Sequence, residues 1–289
     1  MNQGIAYAAL AYVAWGLFPL YFRELASVGA FEIVLHRIVW SLVFLSLILA
    51  WLQHWRWIGA LRRQPIVLAT FAVSALLLAA NWTTYVWAVT NGRVIDASLG
   101  YFINPLVSVA LGYSVLHERP RPWQWVAVAL AAAGVAWLAA LGPGIPWVGL
   151  VIAVTFGLYG LMRKTASLGA LEGLTLETLL LAPLAVAVIL WWSWTGSGGV
   201  MQHDASTLAW LIGVGPLTAV PLLWFAAGAR RIPLATLGLL QYVSPSLQLL
   251  LGLWVFHEPL SGSRLFGFTL IWVALAVFTL ESWRQSRRP

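Results

Sequence analysis

Ten stretches of about 20 predominantly apolar residues follow one another along this chain, at 4–22, 32–52, 66–90, 95–116, 122–141, 146–163, 173–194, 206–228, 233–256 and 262–281. A helix of about 20 residues rises about 30 Å, the thickness of the hydrocarbon core of a bilayer. Within that core every backbone N–H and C=O must be bonded inside the segment. The chain has little choice, because 61% of its 289 residues are apolar and 9% are charged. A soluble domain holds about 45–50% and about 25%. The expected fold class is therefore an all-α polytopic membrane protein with ten transmembrane helices. The run from Gly4 to Phe22 has neither a basic leader nor a good cleavage site after it, so it reads as a retained helix.

Basic residues in the connections orient the spans. If the amino terminus is cytoplasmic, the inner side carries Arg56, Arg62, Arg63, Arg119, Arg121, Arg163, Lys164, Arg230, Arg231, Arg284, Arg287 and Arg288. The outer side carries Arg23, Arg93 and Arg264, and Arg37 falls inside a span. Cytoplasmic connections are enriched in Lys and Arg, so both termini are expected in the cytoplasm. The net charge of +7 is then a topology signal, with no nucleic-acid partner implied. The chain contains no cysteine, which removes disulfides, thiolate metal sites and cysteine nucleophiles together.

One segment is written twice. "PLVSVALGYSVLHE" at 105–118 and "PSLQLLLGLWVFHE" at 245–258 agree without gaps at six positions: Pro105/Pro245, Leu111/Leu251, Gly112/Gly252, Val115/Val255, His117/His257 and Glu118/Glu258. They lie on the fourth and ninth spans, each the fourth member of a five-span unit, which predicts an internal duplication over 1–142 and 143–289. Five is odd, so the second unit runs inverted relative to the first. Secondary transporters often have this architecture, with the substrate site at the repeat interface near the midplane.

Polar residues at mid-span single out candidate site positions. The fourth span reads "SLGYFINPLVSV" and the ninth "LLQYVSPSLQLL", so Pro105 and Pro245 stand beside Tyr101, Asn104, Gln241, Tyr242, Ser244 and Gln248. Each proline removes a donor and crowds the carbonyl four residues earlier, which predicts helix breaks lining a polar cavity. Pro216 and Pro221, flanking Thr218 in the eighth span, predict a further break. In "NWTTYVWAV", Asn81 and Tyr85 are four apart and share a helix face, with Trp82 on the neighbouring strip. Arg37, in "EIVLHRIVWS", either snorkels to the interface or receives a carboxylate in a central cavity. Trp15, Trp82, Tyr85, Tyr101 and Tyr242 would shape the apolar part of such a site. The carboxylates Asp96, Glu118, Glu172, Glu177 and Glu258 fall near span ends, so proton coupling finds little support, with His36 and Glu177 as the groups that could supply it. The Ala- and Gly-rich fifth span suits close helix packing within the chain or in a homodimer. No hydrolase, phosphate-loop or metal-ligand motif is present, so no enzyme, cofactor or metal is expected.

"HRIVWS", "NWTTYVWAV", "SLGYFINPL", "YGLMRK" and "LLQYVSPSLQ", spread over nearly the whole chain, resemble the RarD group of EamA-type proteins in the drug/metabolite transporter superfamily. A Pro in the fourth span of each unit and a Glu closing it match Pro105, Glu118, Pro245 and Glu258. The resemblance implies a bacterial inner-membrane carrier of ten helices, two inverted repeats around a central cavity. Relatives export amino acids, other metabolites or drugs. The expected function is a secondary transporter of small organic metabolites, an exporter of amino acids or other carboxylate-bearing aromatic compounds. The alternative is a multidrug-type exporter of amphipathic drugs such as chloramphenicol, and a pore or an intramembrane enzyme are the remaining readings.

Overall fold

The computed structural model describes residues 3–61, 64–91, 94–141, 146–196, 198, 202–255 and 262–286, and regular structure among them is entirely helical. The helices are α1 (Gln3–Phe22), α2 (Ala30–Trp51), α3 (Arg56–Leu61), α4 (Pro65–Thr90), α5 (Val94–Ser114) and α6 (Pro122–Ala140). They continue with α7 (Trp147–Thr165), α8 (Ala170–Thr195), α9 (Ala205–Ala229), α10 (Leu234–Leu240), α11 (Val243–Trp254) and α12 (Gly262–Ser286). Nine stretches among the described residues are long and apolar enough to cross a membrane, α10 and α11 together making one of them. The remaining expected span falls on α5, which has 21 residues. Local chemistry sets several ends. Pro122 opens α6, where its missing N–H costs nothing, and the Arg121 N–H donates to Gln124 Oε1 at 2.8 Å. Asp204 caps α9 by accepting from the Thr207 N–H at 3.0 Å, and Gly196, at φ 73°, closes α8 in the left-handed conformation.

Contacts at the helix ends show the spans running alternately up and down. At one end His54 meets Glu172, Arg121 meets Glu281, Arg230 donates to the Ala166 carbonyl, and Glu118 meets Lys164. At the other end Glu32 meets His203, Tyr21 donates to the Trp210 carbonyl, Trp87 packs on Trp147, and Trp137 donates to the Ser263 carbonyl. The first end is the basic one. Arg62, Arg63, Arg93, Arg287, Arg288, His257 and Glu258 lie outside the described residues, as does the side chain of Asp96.

Helix contacts come in matched sets. α1 lies along α9 as α7 lies along α4, α2 packs on α9 as α8 packs on α4, and α11 packs on α1 as α5 packs on α7. The remaining large contacts are α12 with α6, α10 with α5 and α2 with α8. The small residues of the fifth span are used inside the chain, where a Cβ on Gly134 would approach the Gly267 carbonyl oxygen to 2.9 Å.

Of the four prolines expected to break helices, one does so. α5 stays helical through Pro105 and α9 through Pro216 and Pro221. α9 is held along its length by α1 and α2; the Ser41 hydroxyl donates to the Gly215 carbonyl at 3.0 Å, and the absence of a side chain on Gly215 lets Trp40 sit directly on its backbone. With neighbours on both sides, the loss of one backbone bond per proline does not open the helix. The ninth span does divide, at Gln241–Tyr242. Pro245 has no N–H to give the Gln241 carbonyl, which accepts instead from the Ser244 N–H at 3.0 Å. The turn before it tightens likewise, with Gln241 N–H to Gly238 O at 3.0 Å and Tyr242 N–H to Leu239 O at 3.3 Å. This break rests on the proline turn of α5. A Cβ on Gly238 would lie 2.8 Å from the Pro105 carbonyl oxygen, and the Tyr242 hydroxyl donates to the Phe102 carbonyl at 3.1 Å.

Two polar clusters tie the basic end. Glu118, the last residue of the repeated segment, accepts from the Leu234 and Ala235 N–H groups at 2.8 and 3.1 Å and so caps α10. Lys164 approaches the same carboxylate at 3.5 Å and donates to the Ile232 carbonyl at 2.6 Å. Deeper lies Glu177, which the sequence placed at a solvated span end. It stands two turns inside α8 with its side chain fully buried, accepting from Ser74 at 2.6 Å and Tyr159 at 3.3 Å, 3.6 Å from Arg163. Arg163 is buried as well and donates to the Gly169 and Ala170 carbonyls at 3.3 and 3.1 Å.

Glu177→Ala would leave the Arg163 charge buried without its counter-ion, a loss of about 3–5 kcal/mol. The expected outcome is a clear fall in the thermal unfolding midpoint in detergent, with part of it recovered when Arg163→Met is added. Glu118→Ala, which uncaps α10, is expected to cost about 1–2 kcal/mol in the same assay, and Glu118→Gln less, because it keeps an acceptor for the cap.

Candidate functional site

A cavity of about 310 Å³ lies among α1, α2, α4, α5, α7, α9 and the divided ninth span. Eight of the residues expected to bind substrate line it: Trp15, Arg37, Asn81, Trp82, Tyr85, Tyr101, Gln241 and Ser244. Pro245 and Gln248 complete the wall from the ninth span. The lining positions on α2, α4 and α5, and those on α1 other than Tyr12, belong to the halves of those helices farther from the basic end. On the side toward that end, Tyr12, Trp15, Phe156, Tyr159 and Phe225 pack ring on ring with centroids 5.3–6.2 Å apart and form an aromatic floor.

Arg37 does not snorkel. Its Nε donates to Thr218 Oγ1 at 3.0 Å, and its guanidinium carbon stands 4.6 Å from the centroid of the Trp82 ring. One fixed hydrogen bond and one aromatic face hold the fork in the cavity wall, and no carboxylate lies within ion-pair distance of it among the described residues. Tyr85 and Tyr101 line the same cavity, and their rings meet edge to face at 6.0 Å. A guanidinium and two phenol donors in one cavity wall are a set suited to an oxyanion, above all a carboxylate.

Two expected binding residues stand behind the wall. Asn104 is buried, and its Nδ2 donates to Gln241 Oε1 at 3.0 Å, which leaves the Gln241 amide nitrogen to face the cavity. Tyr242 is fully buried and serves as a strut to α5. Asn81 lines the cavity, but its amide nitrogen is spent on the Ile152 carbonyl at 2.8 Å and Thr155 Oγ1 at 3.0 Å, so its oxygen is what it can offer. Gln248 donates to the Trp15 carbonyl at 3.2 Å.

The two groups considered for coupling do not reach the cavity. His36 is buried on another face of α2, where Trp40 Nε1 donates to its Nδ1 at 3.1 Å. Glu177 lies beyond the aromatic floor, next to Tyr159. The sequence reading missed most of the contribution of α1: Tyr12, Phe18, Pro19 and Phe22 all line the cavity, with Phe156 of α7 and Leu222 of α9. α1 is apolar around its whole circumference, so no periodic stripe marks the cavity side.

The profile of the EamA-like transporter family matches residues 2–140. An uncharacterized transporter of Pseudomonas aeruginosa is 47% identical, over 100% of this chain and 97% of the relative. RarD proteins of Streptomyces exfoliatus and Escherichia coli are 44% and 38% identical, over 99% of this chain in each case and over 91% and 97% of those proteins. A solved crystal structure at 20% identity shares the fold, with a TM-score of 0.72 over 96% of this chain and 98% of that one. A full-length match at these identities, on a helical membrane fold, places this chain in the RarD group of EamA-type membrane transporters.

Proposed function

We infer that the chain is a secondary carrier of the bacterial inner membrane that exports small organic metabolites bearing a carboxylate and an apolar, often aromatic, body. The observation that carries this reading is Arg37, a cation within a span, held by Thr218 and Trp82 and facing an apolar cavity with no carboxylate partner among the described residues. An unpaired charge in a membrane interior is costly, and such residues mark substrate or ion pathways. Arg37, Tyr85 and Tyr101 take the carboxylate, the free amide nitrogen of Gln241 and the Ser244 hydroxyl bond other polar groups, and Trp15, Trp82 and Phe156 enclose the apolar body.

Two inverted five-helix units moving against each other give alternating access. The matched contact sets and the end of the family match at residue 140, next to the expected boundary at 142, support this division. With the basic end in the cytoplasm, the cavity lies in the outer half and the aromatic floor closes the inner half.

The test is uptake of labelled N-acetylphenylalanine and phenylalanine into proteoliposomes. Saturable uptake by at least one of them is expected, with Arg37→Ala lowering uptake at limiting substrate about 10–100-fold, the worth of a charge-assisted bond of about 1.5–3 kcal/mol. Arg37→Lys is expected to fall between, since it keeps the charge and loses the fork. Uptake of both compounds equal to that of protein-free liposomes would overturn this reading. Uptake of an amphipathic drug that tolerates Arg37→Ala would favour the multidrug alternative.

A further inference from the structure

The charge inventory of the cavity restricts the substrate more narrowly than the carboxylate alone. Arg37 is the one formally charged group among the described lining residues. Every described carboxylate nearby is engaged elsewhere. Glu32, on the same helix, is 2.9 Å from His203 and lines a separate polar pocket with Gln202 and Asp204. Glu177 is bound by Ser74, Tyr159 and Arg163 behind the aromatic floor, and Glu118 caps α10 at the basic end. The titratable groups facing Arg37 are Tyr85 of α4 and Tyr101 of α5, both neutral donors, while α9 presents Thr218.

An ammonium group finds no counter-charge here. Of the two indoles among the described wall residues, the near face of Trp82 is occupied by Arg37 itself, and Trp15 is packed against Tyr12, Phe156 and Phe225. Gln241 Oε1 already accepts from Asn104. The oxygens of Asn81 and Gln248 can accept from a neutral N–H or O–H but bring no charge to offset a cation. A substrate with one negative charge leaves the loaded site neutral. A zwitterion leaves one positive charge uncompensated in a low-dielectric cavity, a cation leaves two, and a dianion leaves one negative.

We propose that the transported species is a monoanion, an apolar or aromatic compound with one carboxylate and no ammonium, and that it crosses without a coupling ion, expelled by the inside-negative membrane potential. This rests on the carrier reading above. Arg37 returns to its starting position in each cycle, so the net charge moved per cycle is that of the substrate. One negative charge leaving the cell moves downhill in the potential. The cavity wall supplies no described carboxylate to carry a proton, and the potential makes one unnecessary.

The experiment compares three labelled probes on one scaffold, N-acetylphenylalanine (anion), phenylalanine (zwitterion) and phenylalanine amide (cation), in proteoliposomes clamped with potassium gradients and valinomycin. N-acetylphenylalanine is expected to accumulate in response to an inside-positive potential, approaching about 50-fold. That ratio is ~2.3 kcal/mol at ~1.4 kcal/mol per tenfold, the work of one charge crossing ~100 mV. Collapsing the potential is expected to reduce accumulation to simple equilibration, and a superimposed pH gradient to add nothing beyond the leak of protein-free liposomes. The KM for phenylalanine is expected at least about tenfold higher, and Arg37→Gln to abolish or reverse that order. Saturable, Arg37-dependent uptake that ignores the potential, that follows the pH gradient, or that favours phenylalanine would overturn the proposal and leave the carrier standing. Absence of saturable uptake for all three probes would overturn both. If Arg37→Gln fails to fold, protection of the unmodified protein against thermal unfolding decides: stabilisation by N-acetylphenylalanine above phenylalanine supports the proposal, and the reverse order sinks it.

Discussion

Inside a bilayer a backbone carbonyl that loses its partner has no water to turn to, and the architecture around the cavity follows from one such loss. Pro245 leaves the Gln241 carbonyl without its usual donor, and the chain responds by tightening two turns and starting a new helix. The interruption is affordable because it is buried against the proline turn of α5, where Gly238 lets the backbones touch and Tyr242 bonds the Phe102 carbonyl. Gln241 and Ser244, on either side of the interruption, thereby face a cavity that an unbroken helix would not have opened in this way.

The membrane-spanning helices were legible because a bilayer demands apolar length. Much of the cavity lining was legible for a related reason: Arg37, Asn81, Gln241 and Ser244 are polar where a membrane helix has no use for polarity, and Tyr85 shares a face with Asn81 four residues away. What failed were assignments of depth and face. Asn104 adjoins Pro105 and Tyr242 adjoins Gln241 in sequence, but neighbouring helical residues point about 100° apart, and the break shifts the phase between α10 and α11. Adjacency to a polar position therefore did not mean exposure to the cavity. Glu177 was misjudged because its partners, Arg163, Ser74 and Tyr159, come from two other helices.

The two buried cations show how placement decides role. Arg163 is surrounded by Glu177 and two backbone carbonyls, so its charge is spent on holding the start of α8. Arg37 is restrained through one nitrogen and one ring face, and the rest of its fork remains available. The same side chain is paired with a carboxylate in one setting and, among the described residues, is not in the other. The role of Arg37 as a substrate anchor belongs to the carrier reading proposed above.

The knot at the basic end also bears on kinetics. Glu118 joins the end of α5 to the start of α10, while Lys164 of α7 touches Glu118 and the carbonyl that precedes α10. These contacts share atoms, so none is released without weakening the others. In the transport cycle proposed above that end opens as a unit, crossing one high enthalpic barrier instead of loosening by stages, and turnover limited by this step would rise steeply with temperature.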